Sequence, residues 1–212
     1  MAQLLSIQVG QVQTHLLPDG TEWKTAYFKE PVAGPVFVGE ERLEGDDQQH
    51  KRFHGGAHRS VLGYSADHYA RWQEELQTLF PYGAFGENFS IMGQDEDSVC
   101  IGDIYAVGDE VRLQVSAPRE PCNQIDKRWN MPDLRKRVAQ TLRTGWYMRT
   151  LQTGHAQAGM TISLLERPYP EWTVRRAQEV RLHMFSDPDA AVRLAACEAL
   201  EPGWRRKLLS AV

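Results

Sequence analysis

The sequence predicts a mainly β fold, a barrel-type domain with flanking helices, followed by a small all-α domain of three helices. Most of the chain consists of short apolar or alternating runs separated by turn residues, and few helical patterns interrupt them. Closure of such strands into a barrel leaves no exposed sheet edge. The composition changes after Arg167-Pro168-Tyr169-Pro170, so we place the β-barrel domain at residues 1–166 and the helical domain at residues 167–212.

The N-terminal part of the barrel is predicted to contain four short strands. They are Leu4–Val9, Val12–Leu16, Thr21–Phe28 and Val36–Val38. Gly10 and Pro18-Asp19-Gly20 supply the turn chemistry between the first three. Lys24 and Lys29 lie where basic and apolar side chains alternate. This pattern is typical of a strand with one solvated face.

The segment from Leu43 to Ser60 is a long polar loop with hardly a core residue. A loop of this kind inside a compact domain is usually functional or disordered. Gly55-Gly56 permits positive φ angles and lets backbone N–H groups approach an anion, and three cations support that interpretation: Lys51, Arg52 and Arg59. A zinc site is the alternative, because histidines recur every four residues at His50, His54 and His58. The glycine pair breaks any helix through them, so anion binding is favoured.

The middle of the chain is predicted to combine one helix with further strands. A strand at Val61–Tyr64 precedes a helix over residues 66–79, whose aromatic stripe is expected to pack in the core. A strand follows at residues 86–91 and opens on a glycine, a carboxylate and an amide. Ile101–Val107 and Val111–Val115 are then predicted to form a hairpin.

The chain is expected to turn after the second strand of this hairpin, since Pro118 and Pro121 cannot continue a hydrogen-bond ladder. At the turn, Cys122 follows Arg119 by three residues. A permanent cation favours the thiolate, which is the form of cysteine that binds metals and attacks electrophiles. The alternative is that Cys122 is a small apolar side chain that fills a corner of the core.

The remainder of the chain is predicted to contain one basic helix, two closing strands and three short helices. The basic helix spans Leu134–Leu142, the strands are Trp146–Leu151 and Met160–Leu165, and the helices span Thr173–His183, Pro188–Leu200 and Pro202–Leu209. The apolar positions expected to form the helical core are Val180, Leu182, Val192, Leu194, Ala195, Leu200 and Leu208, and Cys197 is expected to pack there. Because so small a unit is marginal alone, we expect it to lean on the barrel or on another subunit.

Composition limits the classes of function. The chain has 212 residues, 42% hydrophobic and 25% charged, and a formal net charge of −4, which argues against general nucleic-acid binding. The N-terminus lacks the basic region of a signal peptide, and no apolar run is long enough to span a membrane. Three cysteines without paired spacing fit a reducing compartment, so a cytoplasmic location is expected.

Four motifs occur in an order and spacing that resemble the MOSC domain, named after the C-terminal domain of molybdenum-cofactor sulfurases. The resemblance extends to the stand-alone YiiM-like members of that family, which carry a three-helix tail. The motifs are Gly45-Asp46 with His54-Gly55-Gly56, Gly86-Glu87-Asn88-Phe89, Arg119-Glu120-Pro121-Cys122, and Arg143-Thr144-Gly145-Trp146-Tyr147.

The resemblance implies a β barrel that binds a molybdenum–pterin cofactor (Mo-molybdopterin), with the Cys122 thiolate as the metal ligand. The residues that it implies for holding the pterin and its phosphate are Lys24, Thr25, Lys29, His54, Gly55, Gly56, Arg59, Asn88, Arg119 and Tyr147. His54 or Glu87 would deliver protons, although His54 equally suits a role in orienting the cofactor. The implied enzyme needs no pyridoxal phosphate.

Two positions depart from the family pattern. After the glycine pair the family often has an acid and a lysine, whereas this chain has His58-Arg59. After the cysteine we would expect an aromatic and a basic residue, whereas Asn123-Gln124 is more polar. The second departure bears on substrate preference more than on cofactor binding.

The leading hypothesis is therefore a molybdenum-dependent oxidoreductase that detoxifies N-hydroxylated compounds such as hydroxylaminopurine-type bases and amidoximes. Two alternatives stay open: a sulfur carrier with a persulfide on Cys122, and a cofactor-binding or delivery module without catalysis. No nucleotide-binding or iron–sulfur motif is present, so we expect a separate flavoprotein reductase as electron donor. The helical tail would mediate either that contact or formation of a homodimer.

Overall fold

The computed structural model describes residues 1–17, 19–49 and 55–211. The strands in these residues are β1 Ala2–Val9, β2 Gln13–Leu16, β3 Glu22–Thr25, β4 Glu30–Pro31, β5 Val36–Val38, β6 Val61–Ser65, β7 Phe89–Met92, β8 Ile104–Val107, β9 Val111–Pro118, β10 Trp146–Gln152, β11 Gly154–Ala156 and β12 Thr161–Glu166. The α-helices are α1 His68–Leu76, α2 Gln124–Trp129, α3 Leu134–Thr141, α4 Val174–His183, α5 Pro188–Ala195 and α6 Pro202–Leu209.

Seven strands form a closed barrel in the order β12, β8, β9, β10, β6, β7, β1. The barrel closes because β1 pairs with β12 as well as with β7, with Ala2 opposite Ile162. β6 and β7 run parallel, and parallel neighbours need a long crossover, which the segment containing α1 supplies. The predicted mainly β barrel with a helical appendage is confirmed.

The strand that leads to Cys122 is longer than predicted. β9 continues from Val111 to Pro118, where Pro118 lies opposite Trp146 of β10, so Arg119 follows directly at the end of the strand. β3 is shorter than predicted, since the chain leaves the strand after Thr25. These two ends meet on the same side of the barrel.

Helix α2 was not predicted. It has six residues, of which only Ile125 is buried, so its sequence shows no apolar period. Together with α1 and α3 it encloses a second core, formed by Tyr64, Tyr69, Trp72, Ala84, Phe85, Ile125, Leu134 and Val138. Helix α2 therefore begins two residues after Cys122 and is anchored beside the barrel.

The helical tail packs on the barrel, as expected for so small a unit. Trp172, Val174 and Trp204 belong to one buried cluster with the barrel interior. Backbone hydrogen bonds also join the two parts, from Ile101 N to Trp172 O at 2.8 Å and from Val174 N to Val99 O at 2.8 Å.

Two of the predicted tail core positions are wrong. Leu182 is 65% exposed and Val192 is 41% exposed. Val180 and Met184 are buried at that end of α4, and Leu182 points away from both because two residues of helix turn through about 200°. Cys197 is buried as expected. Among the described helices, none has the length and apolar character needed to cross a bilayer.

Candidate functional site

A pocket opens where the ends of β3 and β9 meet. Its empty space, including open solvent at the mouth, is about 670 Å³. The described residues that line it are Thr25, Ala26, Tyr27, Lys29, Asp47, Gln48, Gln49, Arg59, Leu62, Gly86, Asn88, Arg119, Cys122, Gln124 and Tyr147.

Seven of the residues predicted for the site line this pocket: Thr25, Lys29, Arg59, Asn88, Arg119, Cys122 and Tyr147. Lys24 does not, because successive residues of a strand point to opposite faces and Thr25 takes the inner one. Gly55 and Gly56 are also outside the lining, although Gly56 does adopt a positive φ of 93° just before the turn that carries Arg59. His54, like His50, lies outside the described residues.

Arg119 is the buried cation of the pocket wall, with 3% of its surface exposed. Its Nη2 donates to Tyr27 Oη and to Phe85 O, both at 3.2 Å. Its Nη1 is buried and has no hydrogen-bond partner among the described residues. An unpaired buried donor of a charged group is costly, so an acceptor next to this atom would stabilise the guanidinium.

Cys122 lies beside this cation. It is half-buried, lines the pocket, and is within electrostatic range of Arg119, Tyr27 and Tyr147. All three cysteines lie in described residues, and the other two, Cys100 and Cys197, are buried away from the pocket, where burial raises the pKa of each thiol. Cys122 is thus the cysteine placed for chemistry.

Two tyrosines complete the wall. Burial is the main cause that raises the pKa of Tyr27 and of Tyr147 above the ordinary value, while Arg119 acts in the opposite direction. Both phenols therefore keep their protons at neutral pH. The Arg59 guanidinium lies over the Tyr147 ring, with its Cζ 5.3 Å from the ring centre.

Lys29 forms a buried ion pair with Asp46 in the floor of the pocket. Asp46 also accepts from Gly10 N at 2.8 Å and from Asn88 Nδ2 at 3.0 Å. Burial is the main cause that lowers the pKa of Lys29, and Asp46 opposes it. The interpretation as a solvated strand face therefore holds for Lys24 and is wrong for Lys29.

Asn88 connects this floor to the barrel. Its Oδ1 accepts from Leu62 N at 3.1 Å, and its Nδ2 donates to Gln8 O at 3.2 Å as well as to Asp46. The amide therefore joins strands β6 and β1 below the pocket.

Glu87 does not line the pocket. Its carboxylate is fully buried and accepts from the Tyr69 hydroxyl, from Gly83 N at 2.7 Å, from Phe85 N at 3.1 Å and from Ser90 Oγ at 2.9 Å. These are the contacts of a structural carboxylate that holds the turn before β7. The proton-donor role predicted for Glu87 gains no support from them.

Gln124, Tyr27 and Gly86 are pocket residues that the prediction missed. Gln124 Oε1 accepts from Trp23 Nε1 at 2.9 Å and from Thr25 Oγ1 at 3.0 Å, which ties α2 to β3. Two of these residues could have been found from the sequence, because Gln124 and Tyr27 each follow a predicted site residue by two positions. Gly86 belongs to a quoted motif.

The helical tail reaches the pocket rim on both sides. Glu201, the N-cap residue of α6, pairs with Arg59 at 3.3 Å. Lys207 of the same helix pairs with Glu120, which lies between Arg119 and Cys122 in the chain. One helix of the tail therefore contacts two parts of the pocket wall.

Comparisons with known proteins match both parts of the chain. The family model described as the MOSC domain matches residues 50–163, and the one described as the YiiM-like, 3-alpha helix domain matches residues 172–210. A protein named Reductase from Gibberella moniliformis is 42% identical over 180 residues, which are 84% of this chain and 32% of that protein. YflK of Bacillus subtilis is 35% identical over 97% of this chain and 92% of its own length. The crystal structure of YiiM from Geobacillus stearothermophilus superposes with a TM-score of 0.84 at 32% identity, covering 100% of this chain and 99% of that one.

Proposed function

The chain belongs to the MOSC domain family, in its form with a YiiM-like three-helix domain, and from this premise we propose that it is a molybdenum-cofactor-dependent reductase of N-hydroxylated compounds. MOSC domains are associated with binding of the molybdenum cofactor. The main observation behind the proposal is that one pocket is lined by both Cys122 and Arg119. The Cys122 thiol is half-buried, and Nη1 of Arg119 has no hydrogen-bond partner among the described residues.

The residues present fit such a cofactor. The buried Nη1 of Arg119 would be stabilised by an anionic acceptor, and Arg59, which also pairs with Glu201, places a second guanidinium at the rim. The single thiol of Cys122 suits a metal that receives its other sulfur ligands from the pterin. Lys29 contributes less net charge, because Asp46 balances it.

When bound, the cofactor supplies the metal centre through which electrons reach the nitrogen–oxygen bond. Reduction of R–NHOH consumes two electrons and two protons and releases R–NH2 and water. Tyr27 and Tyr147 keep their phenolic protons and line the pocket, so they supply hydrogen-bond donors to the oxygen of the substrate. Arg119 orients Tyr27 through its hydrogen bond at 3.2 Å.

The electrons are proposed to come from a separate flavoprotein. The chain spans 32% of the length of the relative named Reductase. That name describes the whole of that protein, and reductive chemistry for the shared part is our proposal.

Metal analysis tests the proposal most directly. We expect protein purified from a molybdenum-replete host to contain molybdenum, and the Cys122→Ser variant to lose it. Cys197→Ala is the matched control, because Cys197 is buried in the tail and should leave the metal content unchanged. Absence of metal from the wild type, or metal and hydroxylamine reduction that persist in Cys122→Ser, would overturn the proposal.

A persulfide carrier is the second candidate, since a half-exposed thiol beside a buried guanidinium also suits a sulfur-transfer site. Mass spectrometry after incubation with a cysteine desulfurase decides between the two. Addition of one sulfur to Cys122 in protein that lacks molybdenum would favour the carrier, and an unmodified thiol would exclude it.

A further inference from the structure

We propose that the helix pair α2–α3 is the surface on which an electron-donating flavoprotein docks through an acidic face. The inference rests on the proposed function, because a reductase of this kind takes its electrons from another protein. Three properties of the basic residues on α2 and α3 support the proposal: their net charge, their exposure to solvent, and their position relative to the pocket.

Residues 123–143 are basic within an acidic protein. They contain six lysines and arginines and two aspartates, a net charge of +4, whereas the whole chain carries −4. The rest of the chain therefore carries −8. The basic residues are Lys127, Arg128, Arg135, Lys136, Arg137 and Arg143. So strong a local excess produces a positive potential that attracts an acidic partner.

Four of these six cations, at positions 127, 135, 136 and 137, are exposed. Within the described part of the chain none of the four forms an ion pair, although Asp19 lies within electrostatic range of Lys127. Asp126 is occupied, since its Oδ1 accepts from Arg135 N at 2.6 Å. By contrast, Arg128 and Arg143 serve the fold: Arg128 donates to Tyr27 O at 2.7 Å, and Arg143 pairs with Glu75 at 2.7 Å. We call these exposed four the basic patch. Lys127 lies on α2; on α3, Lys136 faces away from the buried side of the helix, and Arg135 and Arg137 lie about 100° on either side of it, so the cations spread around the exposed side of the helix.

The patch begins at the pocket mouth. Gln124 lines the pocket and is the first residue of α2, so Lys127 lies about one helical turn, or roughly 5 Å, further along the axis. Lys127 Nζ lies 5.9 Å from the centre of the Trp23 ring, and Trp23 Nε1 donates to Gln124. The next residue of β3, Lys24, is exposed as well. A protein seated on the α2 end of the patch would therefore stand beside the entrance to the pocket.

A protein partner fits these charges better than nucleic acid does. The chain has a pI near 6.0, and the remainder of its surface would repel a long phosphate backbone. A small acidic protein domain could contact the basic patch alone, without approaching the acidic remainder of the surface. The helical tail is the competing docking surface, because Leu182 and Phe185 are exposed on it.

A binding measurement separates the two surfaces. The patch variant combines Lys127→Glu with Arg137→Glu, and the matched control combines Arg193→Glu with Arg206→Glu on exposed positions of the tail. Recombinant flavodoxin, a small acidic FMN protein, is the probe, and its affinity is measured by calorimetry at low salt. We expect the patch variant to bind about tenfold more weakly and the control to stay within about twofold of the wild type.

An activity measurement on the loaded enzyme accompanies it. Flavodoxin-driven reduction of a hydroxylamine should fall about tenfold in the patch variant, whereas reduction driven by a reduced viologen dye should stay unchanged. Wild-type affinity in the patch variant, a larger loss in the tail control, or tighter binding of duplex DNA than of flavodoxin would overturn the docking proposal. Failure of the wild type to turn over with viologen would overturn the proposed function instead, and the binding measurement would still decide the docking surface.

Discussion

Replacing Asp46 by asparagine removes the negative charge that balances Lys29 in the floor of the pocket. Both side chains are buried, and Lys29 is only 6% exposed. The ammonium would then lie in a poorly solvated site without a counter-ion. We therefore expect Asp46→Asn to lower the free energy of unfolding substantially, and the pocket floor to be the region that loosens.

The size of the loss follows from the contacts that Asp46 makes. Removing one partner of a buried ion pair costs about 3–5 kcal/mol, because the other charge stays buried and uncompensated. One oxygen of Asp46 accepts from Asn88 Nδ2 at 3.0 Å, and the other accepts from both Gly10 N and Lys29. A carboxamide has only one oxygen, so its nitrogen must face a donor. A loss near the upper end of this range would remove much of a typical domain stability of about 5–15 kcal/mol.

The stability lost in Asp46→Asn is expected to depend on pH, and the pKa of Lys29 determines in which direction. Burial lowers the pKa of Lys29 below its ordinary value of 10.5. The native state therefore releases this proton at a lower pH than the unfolded chain does. The loss in the free energy of unfolding that comes from burying the charged ammonium consequently becomes smaller as the pH rises towards 10.5. Without Asp46 the pKa of Lys29 falls further. The deficit of the variant should consequently be largest at neutral pH and shrink in alkaline buffer.

Urea unfolding of the wild type and Asp46→Asn at neutral and alkaline pH measures this effect. The second substitution Lys29→Met in the Asp46→Asn background should restore part of the stability, because no charge then remains unpaired. Glu179→Gln is the control, since it removes an exposed partner of Arg176 and should change stability by less than about 1 kcal/mol. A loss below about 1 kcal/mol in Asp46→Asn, or no recovery with Lys29→Met, would refute the reasoning.

Two further substitutions test residues next to the pocket. Gly86→Ala would bring a methyl carbon within 2.6 Å of Tyr27 Cε2, and the backbone φ of 81° is strained for alanine. We therefore expect the free energy of unfolding in urea to fall by about 2 kcal/mol. A variant as stable as the wild type would contradict this expectation. Glu87→Gln should lose about 2–3 kcal/mol, because the carboxylate accepts four hydrogen bonds. Its turnover per folded, metal-loaded molecule should equal that of the wild type, and a large fall in turnover would instead identify Glu87 as a proton donor.

The barrel strands were predictable because each carries its own signal. β9 alternates between buried and half-buried side chains along Val111–Val115, and short turns bound most of the other strands. Helix α2 carries no such signal, since its six residues bury one side chain. It forms because Ile125 packs with Tyr64 and Phe85 against the barrel, a contact between residues far apart in sequence.

The pocket residues divide in the same way. Strand alternation alone separates Thr25 from Lys24, so that distinction was available from the sequence. The burial of Lys29 was not, because a lysine is normally solvated unless a partner is present, and its partner Asp46 lies 17 residues further along the chain, beyond β4 and β5. No local sequence pattern predicts the ion pair between Lys29 and Asp46.

The motifs also show that a characteristic residue need not be a site residue. In the stretch from Arg143 to Tyr147, Arg143 pairs with Glu75, Thr144 donates to Gln178 Oε1 at 3.0 Å, and only Tyr147 lines the pocket. Gly145 accommodates the backbone of β6, where a side chain would meet the carbonyl of the neighbouring strand. Most of this motif therefore builds the wall that presents one tyrosine.

The residues that point to a ligand are those whose polar atoms the fold leaves without a partner. Glu87 and Asn88 satisfy their side chains within the protein, and so does Asp46. Arg119, which lines the pocket, satisfies one of its terminal nitrogens and leaves the other buried and without a partner among the described residues. A buried guanidinium in that state is costly, and an anionic cofactor next to Cys122 would offset that cost. Other buried atoms in the described part of the chain also lack a partner, such as Nη1 of Arg143, but that residue lies outside the pocket lining. The incomplete hydrogen bonding of Arg119 together with its place beside Cys122 is therefore the structural reason to look for a ligand at this site.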